Sequence, residues 1–336
     1  MTITVGFINE TSELEQRVAL VPETTKKMLK AGWKVCLQSG SGSKAGFLDS
    51  AYTDCEVLKK ADDVLAKADV FVCVAAPTEA QLKKMKKDSI LVGLVAPFAD
   101  KKRFDLANKK NITIFSMELV PRTSRAQSMD ALSSQAAVAG YKAVLIAAAQ
   151  APRFLPMLTT AAGTIRPSQV LVIGAGVAGL QAIATAKRLG GMVMGYEVRP
   201  ETVEQIQSLG AKFLDLGGQA VGEGGYARDL TEDEKKQQQQ ALSEFLKKVD
   251  ILITPAAVPG RPAPRLITEE MSANLRPGTV VVDLGAEGGG NVDLTEKGKN
   301  IIKDGVDYIG RVNLAGFLTL LPDEMYLRNF RIFFSL

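Results

Sequence analysis

Along this chain, short apolar runs rich in valine, isoleucine and leucine alternate with polar stretches whose apolar residues fall at helical spacing. Residues 2–8 read as a first strand, 10–17 as a polar loop, and 22–31 as a helix with Pro22 in its first turn and Gly32 closing it. A strand over 33–38 and a Gly/Ser-rich loop over 39–46 follow. The alternation then repeats: helix 61–67 leads to strand 70–75, helix 79–86 to strand 90–94, and helix 101–107 to strand 113–115. Strands alternating with helices predict a parallel, doubly wound sheet. Residues 117–135 are polar and break the pattern before an apolar helix over 136–150, which reads as a crossover between domains. A Gly/Pro-bearing connection over 159–167 leads into a second series of strands and helices.

The second series opens on QVLVIGAGVAGLQAIATAKR, residues 169–188. Residues 170–173 form an apolar run suited to a strand buried on both faces, and helical spacing resumes over 180–189. Between them stand Gly174, Gly176 and Gly179 in a GxGxxG pattern. Gly174 allows the tight turn, Gly176 lets a pyrophosphate approach the backbone, and Gly179 lets the helix pack on the strand. The phosphates then meet the free amides and positive dipole end of the new helix. A second strand over 192–196 ends at Glu197, the usual distance of about 20 residues beyond the glycines, where a carboxylate accepts hydrogen bonds from a ribose 2′-OH. A lone GxGxxG is weak evidence, but here strand, turn, helix, second strand and acid are all present. Glu197 favours NAD(H) over NADP(H), with Arg199 pulling the other way.

Further on come a helix over 201–209, a strand over 212–214 and a glycine-rich loop over 216–228 around Tyr226. Thr231 and Glu234 form a capping box for a helix through Lys247. A strand over 250–253, a loop over 254–264, a strand over 279–282 and a glycine-rich stretch over 283–291 complete the series. The fold class expected is α/β, with two doubly wound, Rossmann-like domains separated by a cleft and joined by long helices. The first takes in 1–133 plus 318–336 and lacks the glycine fingerprint; the second, 134–317, binds NAD(H). Ligand loops are expected at the carboxyl ends of the strands.

Composition narrows the chemistry. The 336 residues are 46% hydrophobic and 23% charged with a net charge of +4, ordinary for a globular α/β protein. The lysine clusters at 83–87, 101–103 and 109–110 lack interleaved aromatics and read as solvated helix faces, so nucleic acid is not an expected partner. Cys36, Cys55 and Cys73 show no metal spacing, and Cys36 and Cys73 lie in apolar runs as small core residues. There is no histidine, which excludes Ser-His-Asp and Cys-His catalysis and histidine metal ligands; no metal is expected. No signal peptide is legible, and the best candidate for a membrane span, 136–149, falls short of about 18 residues and contains Lys142. A soluble chain in a reducing compartment is expected.

The chain resembles the NAD(H)-binding domain of the alpha subunit of proton-translocating NAD(P) transhydrogenase, with alanine dehydrogenase as a relative of the same two-domain plan. The resemblance rests on PRTSRAQSMDALSSQ (121–135), GAGVAGLQA, the glycine loop with Tyr226, and VPGRPAPRLIT (258–268). It implies that Arg122, Asp130 and Ser133 hold the nicotinamide carboxamide and its surroundings, that Gln127 reaches toward a second nucleotide across a subunit interface, and that Tyr226 tips a mobile closing loop. Val177, Ala178, Val198, Arg199 and Ala256 join Gly174, Gly176, Gly179 and Glu197 as cofactor-binding positions. An arginine with a carboxylate or hydroxyl satisfies both the carbonyl and the NH2 of a carboxamide and fixes the ring's rotation.

The resemblance further implies direct, Re/Si-specific hydride transfer from NADH held here to NADP+ on a partner subunit, coupled to proton translocation by membrane-spanning subunits. A homodimer at the cytoplasmic face of a bacterial inner membrane, or at an organelle membrane, is implied as well. One nucleotide site leaves the chain incomplete as an enzyme. An alanine dehydrogenase must also remove a proton, which needs a positioned base. The dehydrogenases' histidine is absent, their substrate lysine is replaced within Val74-Ala-Ala-Pro77, and Glu287 stands near their aspartate. That activity and a non-catalytic NAD-binding module are the alternatives. Residues 318–336 match the family pattern less well, and their apolar cluster of Phe330, Ile332, Phe333 and Phe334 is read either as a final helix packed on the first domain or as a contact with membrane subunits.

Overall fold

A computed structural model of the chain describes residues 2–98, 101–121, 123–216, 232–256 and 262–317. The chain divides into two compact units, one running from the N-terminus through Gln135 and rejoined at Ala315, the other Ala136–Leu314.

The first unit is built on strands β1 (Thr4–Phe7), β2 (Lys34–Gln38), β3 (Glu56–Leu58), β4 (Val70–Ala75), β5 (Ile90–Leu94) and β6 (Thr113–Ser116). They form one parallel sheet in the order β3-β2-β1-β4-β5-β6. Helices α1 (Pro22–Lys30), α2 (Ala61–Lys67), α3 (Glu79–Lys84) and α4 (Lys101–Lys109) connect them. β4 shows why its sequence is apolar throughout. Val70, Val72 and Val74 enter one core with Val5, Phe7 and Leu37, while Phe71 and Cys73 enter the opposite core with Val64, Leu82 and Leu91. A strand buried on both faces reads as a continuous apolar run. Cys36 and Cys73 are core residues as expected, and burial pushes the Cys36 thiol up to about 11.

Helix α5 (Ala131–Gln150) carries the chain into the second unit. It begins five residues before the expected start at 136, because Asp130 caps its first turn: the Ser133 amide and hydroxyl donate to Asp130 Oδ1 and Oδ2 at 2.9 and 2.6 Å. At 20 residues it is long and apolar enough to cross a membrane, yet Val138, Ala143, Val144, Ile146 and Ala147 are buried within the protein.

The connection expected over 159–167 contains a hairpin, β7 (Leu158–Thr160) and β8 (Gly163–Ile165). The second sheet comprises β9 (Gln169–Ile173), β10 (Met192–Tyr196), β11 (Lys212–Phe213), β12 (Ile251–Thr254), β13 (Val280–Asp283), β14 (Asn300–Lys303) and β15 (Val306–Ile309). Their order is β11-β10-β9-β12-β13-β15-β14, parallel except for the antiparallel edge pair β14–β15. Helices α6 (Val177–Arg188), α7 (Thr202–Ser208), α8 (Glu232–Leu246) and α9 (Glu269–Ser272) connect them.

The two sheets share a device at their amino ends. The first residue of each central strand exchanges hydrogen bonds with the aspartate preceding the neighbouring strand. Thr4 N donates to Asp69 Oδ2 and Asp69 N to Thr4 O, both at 2.9 Å; Gln169 and Asp250 repeat the exchange at the same distance. A cation completes each, Lys86 Nζ at 2.6 Å from Asp69 and Arg276 Nη2 at 2.8 Å from Asp250.

Candidate functional site

The glycine turn of the second unit departs from β9 with Gly174 at φ +122°, a conformation that favours glycine. Its amide donates to the Tyr196 carbonyl at 2.8 Å, joining the turn to the end of β10. A Cβ on Gly179 would stand 1.8 Å from the Gly174 carbonyl oxygen, so the first turn of α6 lies directly on the strand-end backbone. A Cβ on Gly176 would meet nothing within 4 Å. Gly176 is the N-terminal residue before α6 and has no side-chain cap. The turn thus pairs a closed contact at Gly179 with open space at Gly176, in front of a helix N-terminus suited to a phosphate. Val177 is exposed at this opening, and the Ala178 carbonyl lies 2.1 Å from the Cβ position of Gly140, where α5 crosses α6 closely.

Glu197 stands beside the turn. Its Oε2 accepts from the Ala175 amide at 3.1 Å and from Arg199 Nη2 at 2.9 Å, and its Oε1 accepts from the Val198 amide at 2.9 Å. Desolvation by burial raises the affinity of this carboxyl for a proton, but the Arg199 hydrogen bond and the two amides outweigh it and hold it below its ordinary value. Arg199 is therefore engaged by Glu197, and its charge is balanced. Val198 is largely exposed. Ala256, just past β12, lies against the turn: the Cβ position of Gly174 is 3.6 Å from Ala256 N and 3.5 Å from Pro255 Cγ.

The signature stretch belongs to the first unit. Gln127–Met129 forms a 3-10 turn with Gln127 exposed, anchored by buried Ala126 and Met129. Asp130 and Ser133 are brought together by the capping bonds of α5. Arg122, Tyr226 and its glycine loop, the Thr231 end of the capping box and residues 318–336 lie outside the described residues. Among the described residues no group of three or more His, Cys, Asp or Glu side chains is arranged to hold a metal ion.

Sequence reasoning gave no role to four further polar residues at strand ends. In the first unit, Glu10 accepts from the amides of Val74 and Ala75 at 2.6 and 3.0 Å, and Glu118 accepts from those of Val95 and Ala96 at 3.2 and 2.7 Å. The Glu10 carboxyl is desolvated although the residue keeps some surface, and burial pushes it from 4.5 up to about 7 against the pull of the two amides. The native state therefore holds a proton there that the unfolded chain has lost. The stability it contributes, at most about 3 kcal/mol, is full below about pH 4.5 and is lost as pH rises through about 7. Chemical denaturation between pH 5 and 8 should show that decline, and Glu10→Gln should flatten it; an unchanged slope in the variant would place the titration elsewhere.

In the second unit Asp283, fully buried, accepts from the amides of Gly285, Asn291 and Val292 at 2.8, 2.8 and 3.1 Å and from Thr295 Oγ1 at 2.6 Å. Asn291, also fully buried, donates from Nδ2 to the carbonyls of Ala256 and Pro264, both at 2.8 Å. An acid closing an apolar strand ahead of a glycine run was the available signal for Asp283. The partners of Asn291 are distant in sequence and left no signal.

Comparison with known proteins bears on the whole chain. Residues 6–139 match the family model described as alanine dehydrogenase/PNT, N-terminal domain, and residues 143–335 match its C-terminal domain counterpart. The chain is 42% identical over 326 residues to the NAD(P) transhydrogenase subunit alpha (its first part) of Rhodospirillum rubrum, covering 94% of this chain and 85% of the relative. The crystal structure of transhydrogenase from Sinorhizobium meliloti superposes with a TM-score of 0.89 at 39% identity, over 98% of this chain and 92% of that one. An alanine dehydrogenase of Mycolicibacterium smegmatis is more distant, 27% identical over 85% of this chain and 73% of its own length. The chain belongs to the alanine dehydrogenase/PNT family and, within it, to the NAD(P) transhydrogenase alpha subunits.

Proposed function

We propose that the chain is the NAD(H)-binding half-site of a proton-translocating transhydrogenase, with NADP(H) held on a partner subunit. The observation that carries this is the glycine turn: a closed Gly179 contact, open space before Gly176, and the Glu197 carboxylate fixed by the Ala175 amide beside them. These fit a dinucleotide. Gly176 and the first amides of α6 would receive the pyrophosphate, with Val177 and Ala178 beside it. Glu197 would take the ribose hydroxyls, and with Arg199 already paired to it the position disfavours a 2′-phosphate. Val198 and Ala256 would flank the nucleotide.

Arg122, Asp130 and Ser133 would hold the nicotinamide carboxamide, Gln127 would reach to the partner's nucleotide, and Tyr226 would close over the bound one. When bound, NADH supplies the hydride. The residues of this chain align and shield it, a proximity effect worth roughly 7–11 kcal/mol when the geometry is near-attack. Direct Re/Si-specific transfer moves no proton in the chemical step, which suits a chain without histidine. Proton translocation would fall to membrane-spanning partners that hold a homodimer of this chain at the cytoplasmic face of a bacterial inner membrane or its organelle equivalent.

The test mixes this chain with the isolated NADP(H)-binding component of a transhydrogenase, NADH and an NADP+ analogue that absorbs at its own wavelength. Fast reduction is expected only with both proteins present. Omitting either protein, replacing NADH by NADPH, or offering pyruvate with ammonium in place of the partner should leave only background. NADH consumption with pyruvate and ammonium alone would overturn the half-site reading in favour of a dehydrogenase.

A further inference from the structure

We infer that Asn291 is a positioning residue for the nucleotide, holding Ala256, just after β12, against the glycine turn; the inference rests on the NAD(H) reading above. The Asn291 carboxamide donates to Ala256 O and Pro264 O, both at 2.8 Å, and so ties together the two ends of the segment 256–264. The Ala256 end of that segment lies against Gly174, and Pro255 Cγ is 3.3 Å from the Cβ position of Gly179.

Asn291 is itself held on every side. Its amide donates to Asp283, its carbonyl accepts from Leu266 and Ile267 at 2.8 and 3.0 Å, and a Cβ on Gly285 would stand 2.7 Å from its Oδ1. Asp283 spends four hydrogen bonds on fixing this turn. The site is asymmetric in a telling way. Asn291 Oδ1 and the neighbouring strand-end Thr254 Oγ1 are buried without a hydrogen-bond partner among the described residues. An apolar side chain of similar size would leave the Ala256 and Pro264 carbonyls without this donor, and the amide satisfies both while its own Oδ1 stays unpaired among the described residues. What only an amide provides here is two N–H groups aimed at two carbonyls, one from each end of the segment.

The experiment uses the full chain with NADH as the probe, followed by its fluorescence and by calorimetry well below the melting temperature. Asn291→Ala removes both donors. Asn291→Asp keeps the size but turns a carboxylate toward two carbonyl oxygens. Both variants are expected to bind NADH at least tenfold more weakly and to raise KM for NADH in the two-protein assay, with kcat at saturating NADH within about twofold. The aspartate variant should also recover affinity as pH falls from 8 to 5.5, because its protonated form donates one of the two bonds again, whereas the alanine variant should not. Wild-type affinity in both folded variants would overturn the assignment. So would loss of the cooperative thermal transition, which would make Asn291 a residue of the fold. Failure of the wild-type chain to bind NADH would remove the NAD(H) reading itself, and this inference with it.

Discussion

Gly176→Ala is expected to give a chain that folds as well as the wild type and binds NADH at least a hundredfold more weakly, while Gly179→Ala is expected to be strongly destabilised. Residue 176 has φ −73° and ψ −173°, an extended backbone open to alanine, and the added methyl would meet no protein atom within 4 Å. Its melting temperature should therefore match or slightly exceed the wild type. The same methyl would occupy the space a pyrophosphate needs, so affinity should fall a hundredfold or more, about 2.7 kcal/mol. At residue 179 the methyl would lie 1.8 Å from a backbone oxygen that cannot move without unwinding the turn. Overpacking of that kind costs on the order of 3 kcal/mol or more, a drop of about 10 °C. Thermal unfolding by circular dichroism and NADH titration separate the two. Full NADH affinity in Gly176→Ala would remove the pyrophosphate from this turn, and a wild-type melting temperature in Gly179→Ala would contradict the close contact.

Asp130 offers the second large effect, because its capping role and the nicotinamide contact proposed for it are separable. Its carboxylate caps α5 through Ser133, which needs no ligand to explain it. Asparagine caps as well as aspartate, whereas alanine costs about 1 kcal/mol. Asp130→Asn should thus keep the wild-type stability and Asp130→Ala should lose a few degrees. In the two-protein hydride-transfer assay both should fall about a hundredfold, since a nicotinamide displaced by roughly an ångström loses its near-attack alignment. A wild-type rate in Asp130→Asn would reduce the residue to a helix cap.

The doubly wound plan was legible because most of its strands are buried on both faces. The bounds of β4, β5, β10 and α2 coincide with those read from the apolar pattern. Elements outside that logic escaped. β3 and the hairpin β7–β8 expose nearly all their residues and carry no core signature. β14 and β15 were missed although Asp304-Gly305, at φ +52° and +76°, is the sequence sign of a tight hairpin turn. The start of α5 was hidden by the polarity of Ser133, Ser134 and Gln135, which a capping aspartate at 130 makes compatible with a helix.

At the candidate site, local features were readable and convergent ones were not. Gly174, Gly179 and Glu197 follow one another closely enough for spacing to place them, and the tight turn at Gly174 and the close helix packing at Gly179 are as the spacing led us to expect. Asn291 acts 35 residues from Ala256 and 27 from Pro264, and Glu10 acts 64 residues from Val74. No local pattern encodes such pairings; only the folded topology makes them.

The paired aspartates at the amino ends of the two sheets carry a mechanical implication. Asp69 and Asp250 each lock the central strands of their own sheet in register at the amino ends by reciprocal backbone bonds and a salt bridge, Asp250 at the end of its sheet opposite the glycine turn. Fraying of either sheet must then start from the carboxyl ends, so the free energy of local opening is graded along each strand. In the second sheet the segments proposed to receive a nucleotide sit at the soft end of that gradient and can rearrange while the register at the far end stays fixed.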